Sequence, residues 1–207
     1  MAFDLYFLRA ALPLTKTIEL INGQIVKKAY PLVLNFTSEV VSINTIDDFF
    51  QALMKRATSA QKPCLIKGLL SRPLVNESRK ATTSTNSPTR WVCLDIDDAP
   101  FSSPEEVMRA LNLTDVSYVV QYSSSYKLGR SKNLSCHIFF LLSKAVPATE
   151  LKAWLMHLNL SITVFERAIC LSNSNCALHW PLDITTCQND KLIYTAIEIP
   201  DGVTAIK

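Results

Sequence analysis

The chain has 207 residues, of which 48% are hydrophobic and 19% charged, with only 4 glycines. That length buries a real core in one large domain or two small lobes, and the composition excludes a disordered or fibrous chain. A net charge of +3 with a pI near 8.5 is too small an excess to indicate a nucleic-acid partner unless the basic residues cluster.

The start, Met1-Ala2-Phe3-Asp4, lacks the basic and long apolar regions of a secretory signal, and no apolar run reaches the length of a membrane span. A cytoplasmic protein with reduced thiols and no membrane partner is expected. Six cysteines are scattered without a Cys-x-x-Cys pair. Cys170, Cys176, His179 and Cys187 are the nearest approach to a zinc set, but their spacing fits no common ligand pattern, so zinc is not expected.

In chain order, short strands are predicted at Asp4 to Leu8, at Gln24 to Val26 and over Pro31-Leu32-Val33-Leu34-Asn35-Phe36. A helix follows over Ile46 to Arg56. Asn44-Thr45 supplies its cap, with acids in its first turn and bases in its last. Pro63 to Gly68 reads as another strand. Ser71 to Arg90 is the most polar stretch and carries Arg72, Arg79, Lys80 and Arg90. It reads as a mobile loop, either a solvated linker or a basic flap that closes over phosphates.

Trp91 to Asp98 is an apolar strand that ends in three carboxylates. Alternation puts Asp95 and Asp97 on one face. Clustered carboxylates repel unless something neutralises them, and oxygen ligands suit Mg²⁺ or Mn²⁺. The plainer account is a strand followed by an Asp-Asp-Ala-Pro turn.

Ser103, Pro104 and Glu106 announce a helix through Leu111. Val116 to Tyr122 is a strand, and Lys127 to Asn133 a basic turn with Lys127, Arg130 and Lys132. Leu134 to Leu142 is a strand in which Ser135 and His137 share one face while Cys136 turns to the core. Pro147 to Leu158 is a helix, and short strands close the chain near Leu182-Asp183-Ile184 and Leu192-Ile193-Tyr194. From residue 91 this order approaches the split βαβ arrangement of the RNA-recognition-like fold. Each candidate has an ordinary alternative. His137 suits a satisfied core position, Lys127, Arg130 and Lys132 suit a hairpin tip, and Asp183 suits a cap or turn.

Taken together, Leu94-Asp95-Ile96-Asp97, Ser135-Cys136-His137 and Leu182-Asp183 resemble the three motifs of the archaeo-eukaryotic primase superfamily, in the flavour of phage, plasmid and mobile-element primase-polymerases. Asn76-Glu77-Ser78-Arg79 and Lys191-Leu192-Ile193-Tyr194 add to the likeness, which covers about residues 65–200. The resemblance implies an α+β, two-lobed primase core within a single catalytic domain, 1–207. Residues 1–90 would form a smaller N-terminal α/β lobe with the basic loop, and 91–207 an RNA-recognition-like catalytic lobe. It implies that Asp95, Asp97 and Asp183 hold two Mg²⁺ or Mn²⁺ ions for catalysis. Ser135 and His137 would bind the nucleotide phosphates, with Lys132 beside a position where the family often has a base, and Lys127, Arg130 and Lys191 as phosphate or template contacts by charge alone. Asp98 falls outside the pattern. The implied activity is template-dependent nucleotidyl transfer, making or extending primers on single-stranded DNA from NTPs or dNTPs during replication of a phage or mobile element. The sequence has no Gly-x-x-x-x-Gly-Lys, so a helicase would lie elsewhere on a longer chain or be a separate partner. Two other readings of the same residues are a non-catalytic nucleic-acid-binding domain and a metal-dependent nuclease.

Overall fold

The computed structural model describes residues 2–22, 24–123, 133–171 and 176–196. The fold is mixed α+β with several antiparallel sheets. The chain divides into two compact units, Met1–Ser87 with Asn189–Lys207, and Pro88–Gln188. Among the described residues no helix is long and apolar enough to cross a membrane.

The first unit opens with β1 (Phe3–Arg9), β2 (Thr17–Ile21), β3 (Gln24–Lys28), β4 (Thr37–Ile43), α1 (Ile46–Ala57) and β5 (Cys64–Ile66). β1 is central, antiparallel to both β4 and β5, while β2 and β3 form their own hairpin. Leu8, Phe36, Cys64 and Ile66 pack in one cluster. The helix predicted over 46–56 forms because Thr45 and Asp48 close a capping box: the Thr45 hydroxyl accepts the Asp48 N–H, and the Asp48 carboxylate accepts from Thr45 N–H. The strand predicted over Pro31 to Phe36 does not form. Only Phe36 makes a bridge, to Glu77, and Leu32 and Leu34 lie open to solvent. Alternating residues make a strand only where a neighbour pairs with it, and β1 takes Thr37–Ile43 instead.

The polar stretch from Ser71 to Arg90 also departs from expectation, because much of it is fixed. Leu70 bridges Thr83, and Arg79–Ala81 forms a 3₁₀ turn. Arg72 pairs with Glu77, and the Arg79 guanidinium donates to the Asp190 carbonyl at 2.6 Å. These two arginines are thus held within the first unit itself.

The second unit runs β6 (Thr89–Ala99), α2 (Pro104–Ala110), β7 (Tyr118–Tyr122), β8 (Leu134–Val146), α3 (Ala148–Ser161), α4 (Thr163–Ala168), β9 (Cys170–Leu171) and β10 (Leu178–His179). Its sheet has the order β6-β8-β7, all antiparallel, and Leu182 bridges Ile96 on the other edge of β6. With α2 between β6 and β7, and α3 after β8, the elements follow the split βαβ order as far as α3, and Leu182 contributes one bridge where a fourth strand would lie. Val92, Leu94 and Ile96 of β6, with Cys136, Ile138 and Phe140 of β8, turn to one face. There they bury against Val107, Met108, Leu151, Leu155 and Phe165 of the helices. Each such apolar side chain contributes about 1.5–3 kcal/mol when fully buried. Beyond the second unit, β11 (Leu192–Ile193) pairs antiparallel with β5, so the late strand read from sequence belongs to the first unit's sheet.

Candidate active site

Because Leu94 and Ile96 face the core, Asp95 and Asp97 turn to the opposite face of β6. The strand then breaks its register: Ile96 pairs with Cys136, but the next pair is Ala99 with Leu134. The extra residue makes a bulge, and Asp98 takes it up in the left-handed region with φ of 53°. Asp is one of the few residues that adopt this conformation at small cost. The Asp98 N–H donates to the Ser135 hydroxyl at 2.9 Å, and the Asn133 amide donates to the Asp98 carbonyl at 3.1 Å. Asp98, outside the motif pattern, is the bulge residue.

The pairing register lines up a polar row across the sheet. Asp95 on β6 sits opposite His137 on β8, and His137 opposite Gln121 on β7. His137 Nε2 lies 3.3 Å from Asp95 Oδ1, and Nδ1 lies 3.1 Å from Gln121 Oε1. The ring also meets Phe139 edge-on, at 5.8 Å between centroids. His137 does not point into the helix-covered core. Its neighbours Cys136 and Ile138 are buried in the helix-covered core, whereas its own side chain keeps 19% exposure on the other face. Burial pushes the Cys136 thiol up to about 12, reinforced by the charges of Asp95 and Glu105.

Asp183 extends the row on the far side of β6. Its N–H donates to the Asp95 carbonyl at 2.9 Å, and the Asp97 N–H donates to the Pro181 carbonyl at 3.3 Å. Asp183 therefore stands directly across from Asp95, where paired residues on one face have Cβ atoms roughly 5 Å apart. Its carboxylate also performs the ordinary role foreseen for it. Oδ1 accepts the Thr185 N–H at 2.7 Å and Oδ2 the Thr185 hydroxyl at 2.9 Å, capping the 3₁₀ turn Ile184–Cys187. A carboxylate oxygen accepts more than one bond, so the cap does not exhaust it. Among the described residues, no three His, Cys, Asp or Glu side chains stand close enough to enclose a metal ion as placed.

What holds Asp183 in this row is Asn159 of α3, fully buried. Its amide donates to the Leu182 carbonyl at 3.0 Å and accepts the Leu182 N–H at 3.1 Å, and it also donates to the Leu155 carbonyl at 2.9 Å. Sequence reasoning did not find Asn159. The signal available was a polar residue on the apolar side of a helix, at helical spacing from Leu151 and Leu155. It also missed Gln121 as the partner of His137, and the placing of His179, whose Nε2 lies 3.9 Å from Asp97 Oδ2.

Ser135 is buried, anchoring the bulge through Asp98 while retaining its own proton to donate. Lys127, Arg130 and Lys132 lie outside the described residues. Lys191 precedes β11 in the first unit, its carbonyl accepting the Lys67 N–H at 3.0 Å. Of the zinc-like set, Cys170 pairs with His179 across the β9–β10 hairpin, and Cys176 is exposed. Cys187 is buried, its thiol 2.9 Å from the Ile184 carbonyl. No family model, curated protein or solved structure matches this chain.

Proposed function

We propose that the second unit carries the active site of a template-dependent nucleotidyltransferase, a primase-polymerase that makes or extends primers on single-stranded DNA in the replication of a phage or mobile element. The observation that carries this reading is the pairing of Asp183 with Asp95. Two stretches 88 residues apart meet at one 2.9 Å backbone bond, beside the strand that bears His137. The backbones of the first and third motif stretches thereby meet beside β8, whose His137 faces Asp95.

The donor types suit hard divalent cations, and as placed the three carboxylates do not converge on one. Asp95 and Asp97 offer carboxylate oxygens from one strand face, Asp183 offers a third from across the pair, and Mg²⁺ or Mn²⁺ prefers such ligands. Bound there, a pair of such ions supplies activation of the attacking 3′-hydroxyl and screening of the triphosphate charge. The chain's own groups do the rest. His137 Nε2, held toward the carboxylates, is set to donate to a phosphate oxygen, and the Ser135 hydroxyl has a proton for the same purpose. A template strand, NTPs or dNTPs, and a helicase partner follow from this reading.

A non-catalytic RNA-recognition-type binder would stack bases on exposed aromatics of this sheet face. Trp91 and Phe139, the aromatic residues of β6 and β8 on that face, are 2% and 0% exposed. That observation weighs against the binder. The deciding experiment is extension of primed and unprimed single-stranded DNA with NTPs or dNTPs in Mg²⁺ or Mn²⁺. The paired substitution D95A/D97A should abolish synthesis and leave DNA binding in place. Synthesis that survives it refutes the reading, and metal-dependent loss of the DNA without added nucleotides would indicate a nuclease instead.

A further inference from the structure

We infer that Gln121 is a positioning residue for His137, fixing which ring nitrogen faces the carboxylates; this rests on the nucleotidyltransferase reading above. The geometry is a register effect. Gln121 and His137 are directly paired across β7 and β8, on the face opposite the apolar core, and their polar atoms meet at 3.1 Å. A histidine in a strand has two flat orientations of its ring, related by a half turn about χ2. Only the observed one sends Nε2 to Asp95, at 3.3 Å. Aspartate Oδ1 only accepts, so the productive arrangement puts a proton on Nε2. What Nδ1 then requires depends on the charge of the ring: a donor if the ring is neutral, an acceptor if it is protonated. A glutamine amide offers both, by turning over. An apolar residue offers neither, and the half-turned ring then becomes competitive. A partner on the second nitrogen of a functional histidine sets the ring's tautomer and direction.

The consequence is specific. Gln121 touches neither nucleotide nor metal ligand in this scheme, and what it contributes to triphosphate binding runs through the imidazole. The test is a double-mutant cycle on the affinity of the intact chain for a nucleoside triphosphate in Mn²⁺, read by calorimetry, with melting temperature followed for every variant. Gln121→Leu should weaken triphosphate binding on the order of tenfold, with little change in affinity for the bare nucleoside. His137→Ala should weaken it at least as much. In the His137→Ala background, Gln121→Leu should add nothing, because the group it acts through is gone. Gln121→Asn, whose amide is one methylene too short to hold Nδ1, should reproduce the loss without placing an apolar group on the strand. It serves in place of the leucine variant if that fails to fold. Unchanged affinity in both variants overturns the inference. So does a loss that persists undiminished on top of His137→Ala, which would mean that Gln121 acts directly. A wild-type chain that binds no triphosphate overturns the parent reading instead, and the two failures are thereby distinguishable.

Discussion

Asn159→Leu tests the physical account of how the third motif reaches the first. In the pairing of Ile96 with Leu182, the cross-strand bonds use Asp183 N–H with Asp95 C=O, and Asp97 N–H with Pro181 C=O. Leu182's own N–H and C=O therefore point away from β6, and Asn159 receives both, at 3.1 and 3.0 Å. Leucine matches asparagine in side-chain heavy atoms and branching but is bulkier, so no cavity opens and any overpacking only adds to the cost. The cost comes from two buried backbone groups stripped of partners, at about 1–3 kcal/mol each. A total of about 2–6 kcal/mol follows, a large share of the stability of a domain of this size. Urea unfolding measures it, and amide hydrogen exchange locates it: the Leu182 and Asp183 amides should lose protection while those of β8 keep theirs. Asn159→Asp should do no better, since a carboxylate accepts from Leu182 N–H but cannot donate to its carbonyl. Wild-type stability of Asn159→Leu with a protected Asp183 amide would refute the reasoning.

Other consequences can be checked as directly. Gly68→Ala should cost about 1–3 kcal/mol by overpacking, because an added Cβ would stand 2.5 Å from the Asn189 Cβ and 2.8 Å from its carbonyl oxygen; thermal melts read this. Burial pushes the thiols of Cys64 and Cys136 from 9.0 up to about 12, so the folded state keeps protons that the unfolded chain releases between those values. Stability should be intact below about pH 9 and fall as pH rises toward 12, and Cys136→Ala should flatten that decline. Thr45→Ala removes the acceptor for the Asp48 N–H and should lower stability by about 1 kcal/mol. Bonds from the Asn44 and Thr45 N–H groups, with the Thr45 side chain, hold the Asp48 carboxyl below its ordinary value. Its contribution is present above that ordinary value and lost as pH falls through the lowered one, which an acid titration of Asp48→Asn against wild type would expose.

The order of elements from β6 to α3 was legible because each announces itself locally. Ser103-Pro104 starts a helix, and alternation sorts Leu94 and Ile96 from Asp95, and Cys136 and Ile138 from His137. What lay hidden was partnership at a distance. Gln121 reads as an ordinary strand residue until β7 is known to pair with β8 in that register. Asn159 reads as one polar residue in an apolar helix until Leu182 is known to need two hydrogen bonds. The basic loop misled because composition signals solvation, while Arg72 and Arg79 find partners at Glu77 and Asp190 that no composition reveals. Leu192 and Ile193 show the same limit, since two residues cannot say which sheet they will join.

The bulge at Asp98 gives the row of polar residues its sharpness. A slip of one residue in β6 against β8 would carry Asp95 to the core face and bring Leu94 or Ile96 out, so the buried side of the strand fixes the register up to Ile96. Past that point the strand carries one residue too many, and something must absorb it without disturbing what precedes. Asp98 does so at φ of 53°, and its two backbone groups are taken up by Ser135 and Asn133. The serine of the second motif is thus a structural neighbour of the acids of the first, before any ligand is considered. The two duties use different parts of one hydroxyl: a lone pair accepts the Asp98 N–H, and the proton remains to be donated. On the proposed nucleotidyltransferase function, Ser135→Ala should loosen the bulge and weaken triphosphate binding together, whereas Ser135→Thr, which keeps the hydroxyl, should separate crowding from chemistry at this buried position.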